Sequence, residues 1–289
     1  MQVREKILRK PDWLKIKISN NNEFASVSKI LEENEVHTIC VSGNCPNKHE
    51  CWARGTATIM IMGNICTRHC KFCNVEAGHP LPLDKNEPIK VARSINLMKL
   101  KHCVLTSVDR DDLPDYGASH WARTIQEVKI LNPGITIESL IPDFNGDFDK
   151  LDIVLSAGSD VVSHNLETVR NITPKLRSKA EYDRSLMVLG HISKMGHTAK
   201  SGIMVGVGET KEEVFELMDD LLKVNCKILT IGQYLQPSLK HYPVMEYVHP
   251  DVFAEYKEVG LQKGFRFIES GPMVRSSYFA ERHINVELK

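Results

Sequence analysis

Residues 56–73 read TATIMIMGNICTRHCKFC. The first seven, Thr56 to Met62, make a continuous apolar run rich in β-formers, as expected of a strand buried on both faces. Gly63 ends the run, and Cys66, Cys70 and Cys73 follow in the spacing CxxxCxxC. A buried strand that hands three thiols to its own carboxyl end fits a parallel α/β enzyme, where chemistry gathers at the points where strands stop.

Outward from this stretch the same alternation continues. Short apolar runs fall at Cys103–Thr106, Ile135–Leu140, Val161–Val162, Thr198–Met204 and Ile228–Ile231, with a weaker one at Arg266–Ile268. Helical periodicity lies between most of them, at Ile89–Leu100, Trp121–Leu131, Phe148–Ala157, Tyr182–Met195, Lys211–Val224 and Val252–Lys263. Strand and helix in turn argue for a parallel sheet. No GxGxxG follows the first strand, which disfavours a dinucleotide-binding sheet. About six units are too many for a small open sheet and too few for a complete eightfold barrel. A partial (β/α)6 TIM-like barrel is therefore expected, with N-terminal and C-terminal extensions covering its mouth. Before it, residues 1–55 read as an irregular preface with one amphipathic helix at Phe24–Glu35 and a loop-rich stretch at Ser42–Arg54.

Lys plus Arg and Asp plus Glu both number 37, so the formal charge is zero and no polyanion-binding surface is indicated. No stretch approaches the roughly 18 to 20 apolar residues of a membrane span. Met1 to Lys10 is charged, carries Glu5 and lacks the apolar run of a secretory signal, so a cytoplasmic location with no membrane or nucleic-acid partner is expected. At 289 residues the chain can bury a substantial core.

Of the eight cysteines, six form two triplets, Cys40, Cys45, Cys51 and Cys66, Cys70, Cys73. Crowded cysteines in such a chain favour metal over disulfides. Zinc usually takes CxxC pairs, whereas closely spaced thiolates suit iron–sulfur clusters, although cysteines alone leave zinc open. Three thiolates can hold three corners of a four-iron cube and leave the fourth iron free to bind a small molecule. Cys103 and Cys226 lie in strand and turn contexts and read as core residues, and Trp13 and Trp52 read as packing residues rather than substrate contacts. His49 and His69 fall inside the cysteine loops and are expected to face solvent.

Cys66-Thr-Arg-His-Cys70-Lys-Phe72-Cys73 resembles the cluster loop of radical S-adenosylmethionine (SAM) enzymes, including the aromatic before the last cysteine. The resemblance narrows to the lipoyl synthases. It is carried by Arg9-Lys-Pro-Asp-Trp-Leu-Lys15, by the CxxxxCxxxxxC triplet running into Trp52 and Gly55-Thr-Ala-Thr58, and by Thr106-Ser-Val-Asp-Arg-Asp-Asp-Leu113. It continues in His164-Asn-Leu-Glu-Thr168, Lys200-Ser-Gly-Ile-Met204, Gly232-Gln-Tyr-Leu-Gln-Pro-Ser238 and Gly271-Pro-Met-Val-Arg-Ser-Ser-Tyr278. It spans about residues 9 to 280. One departure is Tyr116, where the family usually has glycine.

The resemblance implies two 4Fe-4S clusters and SAM as cofactors. Cys66, Cys70 and Cys73 would hold the SAM-cleaving cluster. Cys40, Cys45 and Cys51 would hold an auxiliary cluster with Ser277, the second serine of the RSSY motif, as fourth ligand; a serine oxygen is a weaker partner for iron than a thiolate. Arg275 is either a surface cation or a group that positions substrate. Phe72, Thr106, Asp109, Glu138, Asn165, Glu167 and Lys200 are candidates to bind SAM, the polar ones because they fall at or just beyond expected strand ends; Gln233 is a weaker one. Three regions follow: 1–55 with the auxiliary cysteines, 56–270 as the barrel, and 271–289 as the RSSY tail, folded across the mouth.

The activity implied is insertion of sulfur at C6 and C8 of an octanoyl chain held on a lysine of a carrier domain. That carrier would be the E2 of a 2-oxo acid dehydrogenase or the H protein of glycine cleavage. A deoxyadenosyl radical would remove each hydrogen, and the auxiliary cluster would be the sacrificial sulfur donor. An electron donor and an iron–sulfur carrier for cluster repair are further expected partners. Rival readings are another radical SAM sulfur-inserting enzyme, a non-catalytic two-cluster electron carrier, and a zinc-stabilised binding module.

Overall fold

The computed structural model describes residues 8–15, 22–54 and 56–283. The expectation drawn from Met1–Lys10 falls largely outside these residues, as does the end of the 271–289 tail.

Three helices open the described chain, α1 (Asn22–Glu33), α2 (Ile39–Ser42) and α3 (Lys48–Ala53). Strand β1 (Thr58–Ile61) follows, then the short pair β2 (Ile65–Cys66) and β3 (Glu76–Ala77). Thereafter strand and helix alternate: α4 (Glu87–Leu97), β4 (His102–Ser107), α5 (Ala118–Leu131), β5 (Thr136–Leu140), α6 (Phe148–Leu155) and β6 (Val161–Ser163). The short α7 (Thr173–Leu176) precedes α8 (Tyr182–Lys194), β7 (Thr198–Val205), α9 (Lys211–Lys223), β8 (Ile228–Gln233), α10 (Pro250–Lys263) and β9 (Phe267–Gly271).

Local chemistry sets these bounds. Thr210 and Glu213 form a reciprocal capping box at the start of α9. Pro250 sits in the first turn of α10, where its missing N–H costs nothing, and Gly264 ends that helix at φ 113°.

The main sheet is wholly parallel, in the order β1-β4-β5-β6-β7-β8-β9. It has seven strands where the sequence indicated about six units; the weak Arg266–Ile268 signal is a full edge strand. A strand order without reversal curls rather than doubly winds. The curl can be read from two contacts: Thr58 on β1 donates to Ser277 Oγ, and Lys200 on β7 donates to the Ser276 carbonyl. Those strands are four places apart, roughly 19 Å in a flat sheet, whereas neighbouring residues lie about 3.8 Å apart. The sheet must therefore wrap around the tail.

Register separates the two faces. Outward point Ile59, Ile61, Leu105, Ile137, Val162, Ile203, Leu229, Ile231 and Ile268, all buried beneath the helices. Trp121 and Ile125 of α5, Val188 and Ile192 of α8, and Leu217 and Leu221 of α9 cover them. Each such side chain contributes about 1.5–3 kcal/mol on full burial. Inward point Thr58, Thr106, Glu138, Ser163, Lys200, Gly202, Thr230 and Gly232. Met60, Val104, Val161 and Ile228 share that face, and its polar and glycine positions are where polypeptide packs.

That polypeptide is the tail. It descends through the barrel from Val274 beside Gly232, past Ser276 beside Gly202, to Ser277 beside Thr58. The tail expected across the mouth thus runs along the inner barrel wall, with residues 274–277 against β8, β7 and β1. The preface also differs from expectation, since α2 and α3 occupy its loop-rich part and residue 37 bonds to the free edge of β1, Met60 N to His37 O at 2.9 Å. Cys103 and Cys226 are core residues as expected, Trp52 is buried, and Trp13, 40% exposed, packs edge-on against His249. His49 stacks on Phe24 rather than facing solvent alone, and His69 is exposed.

Candidate active site

At the end of β1 the chain turns out through Met62 and Gly63, both in the left-handed region at φ 68° and 89°. The Glu87 carboxylate caps this turn, accepting from Met62 N at 2.8 Å and Gly63 N at 3.3 Å, and His120 lies 2.6 Å from it. The loop of the second triplet begins here and is held on all sides. Thr67 N donates to Asp109 O, Lys71 N to Leu176 O, His69 N to Ser178 Oγ, and Tyr242 N to Lys71 O. Cys66 Sγ accepts from Arg68 N at 3.4 Å and Asp109 N at 3.3 Å.

Inside the loop Arg68 is buried. Its guanidinium donates to both oxygens of Asp111 at 2.9 Å and to Asp143 Oδ1 at 2.7 Å, with Asp109 Oδ1 at 3.4 Å. One cation thus ties the loop to the segments that follow β4 and β5. Burial of a guanidinium demands this many acceptors, because unpaired it would cost several kcal/mol.

The first triplet meets the tail. Asn47, between Cys45 and Cys51, donates to the Met273 carbonyl at 2.7 Å, and Tyr278 donates to Glu50 Oε1 at 3.1 Å. Thr58 Oγ1 donates to Ser277 Oγ at 2.8 Å, and the Thr58 backbone N–H also faces the Cys40 sulfur. The guanidinium of Arg275 lies near Cys45 and donates to the Val274 carbonyl at 2.6 Å. Asn74, next after Cys73, donates to the Ser42 carbonyl at 2.9 Å, so the two cysteine-bearing segments touch.

All eight cysteines are free thiols. Burial pushes Cys40 up to about 11 and Cys51, Cys66 and Cys73 up to about 12. Their neighbours add to this: Cys40 and Cys45 act on Cys51, Asp109 on Cys66, and Cys70 on Cys73. Buried thiols of this kind, Cys40, Cys51, Cys66 and Cys73, become stable thiolates only around a positive core. That donor chemistry fits iron–sulfur clusters. Among the described residues no three His, Cys, Asp or Glu side chains converge as one ion requires, so the fit rests on the thiols and their place.

Of the SAM candidates, Asp109 stands 3.7 Å from Cys66 Sγ. Glu167, at φ 67°, lies near Cys73 and Arg177, and burial raises its carboxyl. Asn165 donates to Ser276 Oγ at 2.7 Å while its Oδ1 is buried without a donor. Phe72 packs half-buried against the core and Thr106 Oγ1 is bonded to the Leu140 carbonyl at 3.2 Å. Glu138 and Lys200 are corrected: they lie within β5 and β7, not at strand ends, and are fully buried against each other at 2.7 and 2.8 Å. Gln233 is likewise committed, its amide donating to the Val205, Tyr234 and Glu246 carbonyls and accepting from Val248 N.

Sequence reasoning missed Arg68, Thr58, Asn74, Gly202 and Gly232. Arg68 was inside the quoted motif, and both glycines stood in quoted motifs, but nothing local shows what they approach.

A family profile described as the Radical SAM superfamily matches residues 60–221. The lipoyl synthase of Bacteroides thetaiotaomicron is 61% identical over 277 residues, 96% of this chain and 98% of that protein. The lipoyl synthase of Treponema denticola is 58% identical over 276 residues, 96% of this chain and 95% of that one. Among solved structures, Streptococcus suis SuiB bound to S-adenosylmethionine superposes with a TM-score of 0.59 at 11% identity, over 78% of this chain and 54% of that longer one. Methylornithine synthase gives 0.54 at 14% identity, over 80% and 76%. At such identities the likeness is one of fold.

Proposed function

The chain belongs to the lipoyl synthase family of the radical SAM superfamily, and from that membership and the site's geometry we propose the division of labour among its residues. The substrate is an octanoyl chain on a lipoyl carrier protein, and the product carries sulfur at C6 and C8. Bound in place, one cluster with SAM supplies a carbon radical and a second supplies sulfur.

Cys66, Cys70 and Cys73 hold the first cluster, and Cys40, Cys45, Cys51 and Ser277 the second. Asp109, Asn165 and Glu167 orient the polar parts of SAM beside the second triplet, with Phe72 against its adenosyl side. The free Oδ1 of Asn165 waits for a hydroxyl or ammonium donor. Arg275 opposes the negative charge that four-iron thiolate clusters carry. The tail fills the barrel behind the site and keeps water from the reacting carbons. The carrier domain is that of a 2-oxo acid dehydrogenase E2 or a glycine cleavage H protein, and an electron donor and a cluster-repair carrier complete the cycle.

The observation that carries this reading is the meeting of the first triplet with the RSSY tail, through Asn47, Glu50 and Thr58. Anaerobically reconstituted protein, given SAM, a reductant and an octanoyl-lysine peptide, should add two sulfurs to the peptide, which then loses two hydrogens on oxidation to the dithiolane. Release of deoxyadenosine without any sulfur gain in the peptide would refute it.

A further inference from the structure

We propose that Lys200 is a positioning residue for the auxiliary site, holding the Ser276 carbonyl so that Ser277 is presented to the first cysteine triplet. This deepens, and rests on, the reading of Ser277 as a ligand.

A lysine ammonium has three protons and no acceptor. Here they go to Glu138 Oε1 at 2.7 Å, Glu138 Oε2 at 2.8 Å and the Ser276 carbonyl at 2.7 Å. The carboxylate is fixed in turn, since Ser163 Oγ donates to Oε1 at 3.0 Å and His283 Nδ1 stands 3.8 Å from Oε2. Strands β5, β6 and β7 thus converge on one backbone oxygen of the tail. Asn165 Nδ2 grips the Ser276 hydroxyl at 2.7 Å, and Thr58 meets Ser277 at 2.8 Å.

The cost of this arrangement is informative. Lys200 and Glu138 are 0% exposed. Burying two charges costs several kcal/mol per ion before pairing, and an apolar pair of similar volume would often serve stability as well or better. What an apolar pair could not do is seize a carbonyl. Gly202 agrees, because a Cβ there would stand 2.9 Å from Ser276 Oγ and 2.7 Å from Thr230 Oγ1. The barrel wall is cut back where the tail passes and charged where it grips the Ser276 carbonyl.

The test is hydrogen exchange on anaerobic holoprotein, wild type against Lys200→Met, with iron counted in parallel. Amides of residues 274–278 should exchange at least tenfold faster in the variant while β5 and β7 stay protected. Iron should fall from about eight per chain towards about four, as expected if one four-iron site is lost. Because Lys200→Met leaves a buried carboxylate, Lys200→Met/Glu138→Gln removes both charges and should loosen the tail in the same way. Wild-type tail exchange in a variant with a protected barrel overturns the proposal. So does uniform loss of protection in both variants, which would assign the pair to folding alone. Failure of wild-type protein to make a lipoyl product would strike the functional reading only, since exchange reads the tail without any product.

Discussion

Arg68 and Asp143, 75 positions apart in sequence, meet at 2.7 Å in the interior and pin the second cysteine loop to the turn after β5. Arg184 lies 3.4 Å from the other Asp143 oxygen, so the carboxylate is bracketed by two cations.

Loss of the Arg68 cation should be severe. Arg68→Met leaves Asp143 buried without its main partner, a cost of about 3–5 kcal/mol. Urea unfolding should show that loss, and iron bound by the second triplet should fall with it.

Acid should weaken the same tie. Burial alone would raise the Asp143 carboxyl, but the charge and hydrogen bond of Arg68 hold it well below the usual carboxylate range. A carboxylate depressed in the folded state stabilises fully above its unfolded pKa, about 4, and loses that contribution as pH falls through and below it. The gap in urea midpoint between wild type and Asp143→Asn should be constant from pH 7 to about 5 and shrink below about 4. A gap that widens in acid would contradict the assignment.

Ser277→Cys should keep iron bound while lowering sulfur insertion at least tenfold, because a thiolate leaves iron less readily than an alkoxide or hydroxyl oxygen. Mass analysis of the octanoyl peptide, with iron counted on the same sample, checks both halves. Product formation at the wild-type rate would count against a ligand role for the serine.

The tail's passage can be blocked from the wall. An alanine Cβ at position 232 would stand 2.0 Å from the Val274 carbonyl oxygen, which is backbone and cannot swing aside, whereas at position 202 it meets side-chain oxygens at 2.7 and 2.9 Å. Gly232→Ala should therefore destabilise more than Gly202→Ala, the latter by about 1–3 kcal/mol. Thermal unfolding of the two variants should rank them so.

Thr210→Ala serves as the contrast. It removes the capping box of α9 on the outer helical layer and should cost about 1 kcal/mol with sulfur insertion unchanged per folded molecule.

The helices and strands that frame the site were legible because their periods are local. Lys211–Val224 was expected and Lys211–Lys223 is found; Tyr182–Met195 became Tyr182–Lys194. The cysteine triplets were legible for the same reason, each lying within a dozen residues. What stayed hidden is long-range. Glu138 and Lys200 pair across 62 residues, and no pattern at either position announces the other. The run Thr56–Met62 read as buried on both faces, and its strand Thr58–Ile61 is, but burial did not reveal that Thr58 faces a serine 219 residues away. Short helices such as α2 are fixed by their surroundings and carry no period of their own.

Tyr116 shows a further limit. Its φ is 54°, the left-handed conformation that favours the glycine the resemblance leads one to expect here, so the departure in sequence meets a backbone strain visible only in the fold.

The passage of residues 274–278 along the inner barrel wall sets an order of events on the ribosome. Every strand is translated before Ser277, while the first triplet emerges near the beginning. On the proposed ligand set, a growing chain can complete the three-thiol nest after β1 long before it can bring Ser277 to the first triplet. Ser277 can join the first triplet only once translation has run past the last strand.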